Sequence, residues 1–88
     1  MEHDKYSVAQ AVRRYLADHH PGKITMDVVE DGIRKEDHWW YVPIRPSAWP
    51  RTMFELYEAL ADVEEDLEEH QQLKVFLAAG EPLEAEAA

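Results

Sequence analysis

An 88-residue chain has room for one domain, and folding at this length removes only about 60–65% of the surface of the unfolded chain, so the core is thin. Nineteen Asp and Glu against nine Lys and Arg give a formal charge of −10, which argues against binding a phosphate backbone or an anionic membrane surface. There is no cysteine for a disulfide framework or a thiolate zinc site, and no apolar run approaches the roughly 20 residues of a bilayer span.

The opening Met-Glu-His-Asp-Lys has neither the basic start nor the apolar run of a secretory leader, which points to a cytoplasmic protein. The first predicted element is a helix over residues 7–19. Val8, Val12, Tyr15, Leu16 and His19 fall on one helical face, and Ser7 with Gln10 has the spacing of a capping box. Pro21-Gly22 should end it, because proline cannot continue the ladder and glycine tolerates a left-handed turn.

The period then changes from 3.6 to 2. Ile24, Met26 and Val28 alternate with Thr25 and Asp27, the pattern of a half-buried strand. Asp31-Gly32 and the charged run 34–37 read as a turn, long enough for an open loop rather than a tight two-residue hairpin. A second strand is predicted over 38–45, with Trp40, Val42 and Ile44 on one face and Trp39, Tyr41 and Pro43 on the other. Pro43 has no amide to donate, so an unpaired strand edge is expected there.

Ser47 reads as the cap of a second helix and Pro50 as a first-turn residue. Met53, Leu56, Leu60, Val63 and Leu67 form its apolar stripe, which Phe54 and Tyr57 widen, and Glu55, Glu58, Asp62, Glu65, Asp66 and Glu69 take the opposite face. Two endings compete. If the helix ran on to Ala79, His70 and Lys74 would fall at core positions; if it stops near Gln71, Leu73, Val75 and Leu77 alternate with Lys74, Phe76 and Ala78 as a third strand. The clean period of 2 favours the strand. Gly80 and Pro82 terminate either version, and the acidic tail 81–88 is expected to be disordered.

The expected fold is therefore α+β: a single domain over residues 1–80, in the order α-β-β-α-β. A three-stranded mixed sheet would be backed by two helices, with the third strand beside the first. The alternative is α-β-β-α with one long C-terminal helix.

Such a sheet leaves Val29, Trp39, Tyr41 and Phe76 together on the face away from the helices. Trp and Tyr are enriched at binding hot spots, and three large apolar groups on neighbouring strands form a patch. The leading expectation is thus an interaction module that binds itself, as a homodimer, or another protein. Arg34, Lys35 and Arg45 are candidate contacts for a small anion, Arg45 in combination with Trp39. The acidic face of Asp62, Glu65, Asp66 and Glu69 is read as solvated, or as the side that meets a basic partner as a regulator or decoy. Asp66 and His70 stand four apart, but Leu67 occupies the position a Glu-x-x-His pair would need, so no metal or other cofactor is expected. No nucleophile elbow, metalloprotease helix or phosphate-binding glycine loop can be assembled, and no enzymatic activity is expected.

Overall fold

The computed structural model describes residues 4–19 and 24–80. The expected helix stop at Pro21-Gly22 and the tail 81–88 lie outside these residues. Helix α1 spans Lys5–Leu16 and strand β1 spans Met26–Val28. After a 3-10 turn at Glu30–Gly32 come β2 (Arg34–Glu36) and β3 (Trp39–Pro46). Helix α2 (Met53–Gln71) and β4 (Val75–Ala79) complete the order.

The capping box of α1 sits three residues earlier than the sequence reading placed it. Asp4 accepts the Ser7 amide at 2.7 Å and donates its own amide to Ser7 Oγ at 3.0 Å. That hydrogen bond from the Ser7 amide holds the Asp4 carboxyl below its usual range. Val8, Ala9, Val12 and Leu16 are buried, while Tyr15 is half-buried and takes a hydrogen bond from Gln71.

Strand β3 organises the sheet. On one side β1 and β2 pair with it antiparallel, end to end; on the other β4 pairs with it parallel, from Trp40↔Val75 to Ile44↔Ala79. The third predicted strand thus lies beside the second, and β3 is central. Two further corrections follow because the chain rejoins the sheet as a separate strand after the 3-10 turn. Residues 34–36 belong to the sheet, and the connection to β3 is the two-residue loop Asp37-His38, with Asp37 at φ 56°. A short aspartate is among the residues that tolerate this region.

Pro43 therefore sits in the middle of the sheet, where an edge was expected. Its carbonyl accepts the Val29 amide at 2.9 Å, so its missing N–H faces the β1/β2 side, where the 3-10 turn has already broken the ladder. Gly32 belongs to the same device: a Cβ there would lie 2.6 Å from Pro43 Cγ. The bare backbone of Gly32 makes room for the proline ring, and the ring occupies the gap left in the ladder.

Alternation along β3 buries Val42, Ile44 and Pro46 against the helices. Leu56, Leu60, Val63 and Leu67 of α2 close the core with Val28, Ile33, Leu73, Val75 and Leu77. Met53, Phe54 and Tyr57 do not join them, as the stripe of α2 is only one residue wide at its N-terminal end; Phe54 is 70% exposed and Tyr57 57%. Thr52, not Ser47, caps α2, accepting the Glu55 amide. Ser47 instead continues the β1–β3 ladder through the backbone of Thr25. Gln72 ends the helix in the left-handed region (φ 53°), and its amide and that of Leu73 both reach the Leu67 carbonyl. The long-helix alternative is thereby set aside.

Candidate functional site

Both helices cover the inner sheet face. The outer face carries side chains from three strands in register. Tyr41 stands between Arg34 of β2 and Phe76 of β4, and Trp39 is opposite Glu36. Cross-strand neighbours on one face lie within side-chain reach, and here they touch. The Tyr41 and Phe76 rings are 6.1 Å apart, the Arg34 guanidinium lies 4.6 Å from the Tyr41 ring centre, and Lys74 Nζ lies 5.9 Å from that of Trp39. Glu36 pairs with Arg34 at 3.1 Å. Trp39 remains 48% exposed and Phe76 56%, with Tyr41 half-buried in the middle of the row. This is an aromatic patch whose charged neighbours are mostly cationic, on a strongly acidic chain.

The structure places Trp39, Tyr41 and Phe76 on this one face, while Val29 lies between β1 and the 3-10 turn with its amide bonded to the Pro43 carbonyl. It does not gather the candidate anion contacts. Lys35 belongs to the opposite sheet face and sits over Trp40 at 5.9 Å. Arg34 is engaged by Tyr41 and Glu36. Arg45 shares the outer face with Trp39 but stands six residues along the strand, about 20 Å away at 3.3 Å per residue. Across from it is Asp27, whose carboxylate receives Arg13 Nε at 2.9 Å. Arg13 lowers the Asp27 pKa, and Asp27 raises that of Arg13.

On α2, Asp62, Glu65 and Glu69 are exposed as expected of a solvated face, while Asp66 is half-buried and bonded to His19 Nε2 at 2.8 Å. The expected helix over 7–19 ends at Leu16, so His19 lies in the turn after α1, and this contact ties that turn to α2. Asp66, Glu69 and His70 can bring one ligand atom each within 4.8 Å of one another. All three have solvent access, and exposed carboxylates approach this closely without holding an ion.

Two features went unread in the sequence. One is Glu64, which accepts the backbone amide of Leu77 at 2.8 Å. The other is the groove of about 380 Å³ between α2 and β4, lined by Tyr57, Leu60, Ala61, Glu64 and Phe76. Tyr57 could be seen to be apolar, but only the placement of β4 shows that it flanks a strand edge. No helix among the described residues is long and apolar enough to cross a membrane.

Comparison of the chain with protein-family profiles, curated proteins and solved structures gave no match.

Proposed function

We propose that this protein is a small interaction module whose outer sheet face binds a second copy of the chain, a binding role without chemistry of its own. The observation that carries the reading is the row Trp39, Tyr41 and Phe76 on adjacent strands, with no element of the described chain laid over it. Charge permits a second copy as occupant. A chain of −10 repels itself, but on this face Arg34, Arg45 and Lys74 stand against Glu36 and Asp27, so two such faces can meet without like charges dominating. A thin core is a further reason for a domain of this size to gain from dimerisation. A cytoplasmic setting belongs to the same proposal, and fractionation of cells making the tagged chain would check it.

Sedimentation equilibrium over a wide concentration range tests the reading. A reversible dimer is expected, and the Trp39→Ser/Tyr41→Ser variant should weaken it at least tenfold while keeping its helical circular dichroism. A folded double variant with unchanged self-association, or a wild-type monomer at every concentration, would sink it.

A further inference from the structure

The parallel pairing of β3 with β4 leaves one edge of β4 without a strand partner among the described residues. The amide of Gly80 donates to Ile44 and the carbonyl of Lys74 accepts from Trp40, so even-numbered residues of this segment point their backbone groups at β3. Val75, Leu77 and Ala79 therefore turn theirs outward, as an exposed edge does. At the middle one the outward amide is taken by the Glu64 carboxylate, a side chain standing where a neighbouring strand would place a carbonyl.

The flank of α2 beside this edge has its own pattern. Phe54, Tyr57, Ala61, Glu64 and Glu68 recur at spacings of three and four, a second stripe separate from the buried one, apolar at its start and acidic at its end. Its middle lines the 380 Å³ groove, whose opposite wall is Phe76 to Ala79. Residues Met53–Gln71 hold eight carboxylates and no Lys or Arg.

We infer that the free edge of β4 and this groove form a docking site for an extended basic segment of another protein, which adds as a strand beyond β4. Backbone hydrogen bonds to Val75, Leu77 and Ala79 would supply affinity, and apolar side chains of the segment would enter the groove over Tyr57 and Ala61. A Lys or Arg on the helix-facing side takes the Glu64 carboxylate as the incoming strand takes the Leu77 amide, so the edge cap becomes the specificity contact. Charge decides against a second copy here. A two-fold pairing of β4 strands would set Glu64 and Glu68 of both chains along one seam. This site shares Phe76 with the outer face but makes no use of Trp39 or Tyr41.

The test is nuclear magnetic resonance titration with a capped octapeptide, Thr-Val-Thr-Lys-Thr-Val-Thr-Lys, against the same peptide with glutamates in place of lysines and a Gly/Lys peptide of equal charge. Saturable shifts at the Val75, Leu77 and Ala79 amides and at Tyr57 are expected with the first peptide only. Glu64→Gln keeps an acceptor for Leu77 and so should stay folded, yet weaken binding about tenfold, the loss of one charge-assisted hydrogen bond. The Trp39→Ser/Tyr41→Ser variant should bind the peptide as the wild type does. Absence of shifts, equal binding of the Gly/Lys peptide, shifts confined to Asp62, Glu65 and Glu69, or indifference to Glu64→Gln would each overturn the proposal.

Discussion

The sheet has two edges, and they are closed in different ways. On the β1/β2 side the strand breaks at Glu30–Gly32, Pro43 fills the break, and Arg13 reaches from α1 to Asp27, Glu30 and the Val28 carbonyl. On the β4 side the strand is continuous, and a single carboxylate, Glu64, occupies one outward amide beside an apolar groove. Proteins protect strand edges against unwanted pairing by breaks, charges and covering elements. The first edge combines a break built into the backbone with the Arg13 side chain laid along it. The second is held by one side chain with freedom to rotate away. The lesson is that an edge shut by geometry is structural, whereas an edge shut by one removable contact is available for use.

The comparison can be broken most forcefully at Gly32. Gly32→Ala drives a methyl group against the Pro43 ring and should cost about 1–3 kcal/mol by overpacking, read as a lower urea midpoint. Adding Pro43→Val should recover part of that loss; a double variant no better than the sum of the two would mean that the ring and the glycine are not coupled. On the other edge Glu64→Ala leaves the Leu77 amide to water and should cost about 1 kcal/mol, with faster amide exchange confined to β4. Exchange that rises equally in β1 would erase the distinction between the edges.

At the entry to β4, Gln72→Gly relieves a left-handed residue and should stabilise by up to about 1 kcal/mol, raising the thermal midpoint. The smallest effect is expected at Arg13→Gln. Arg13 depresses the Asp27 pKa, so the pair's contribution is present above the ordinary carboxylate range and is lost as the pH falls through the lowered value. Both groups are partly exposed, so the variant should lose less than about 1 kcal/mol near pH 7 and approach the wild type as the pH falls through the lowered Asp27 value. A gap in urea midpoint that persists in acid would show that Arg13 acts by packing instead.

The elements were legible where a period ran cleanly. Val8 to Leu16, Leu56 to Leu67 and Trp39 to Ile44 declare their faces through spacings of three, four and two, and the face shared by Trp39, Tyr41 and Phe76 followed from parity alone. What could not be read depends on which strand lies beside which. Pro43 looked like an edge marker because its missing amide is a local fact, while the break that accommodates it lies 11 to 13 residues earlier, at Glu30–Gly32. Phe54 and Tyr57 seemed to widen the core stripe because a helix pattern gives angles, not the width of the sheet beneath. Glu64 was one carboxylate among eight until the parallel placement of β4 turned the Leu77 amide toward it.

The pairing of β3 with β4 also sets an order of events. The β2–β3 turn joins positions three apart, Glu36 and Trp39, whereas the β3–β4 ladder joins Trp40 to Val75, 35 positions on. Closing the longer loop costs more chain entropy and gains nothing until α2 has formed to cover it. Strand β4 is thus expected to dock late in folding. In a chevron analysis, substitutions in β4 should speed unfolding, and those at Asp37-His38 should slow folding. The strand offered to a partner is thus also the one whose pairing closes the longest loop, and because Val75 and Leu77 belong to the core, docking at its edge would hold shut the part of the molecule that is costliest to close.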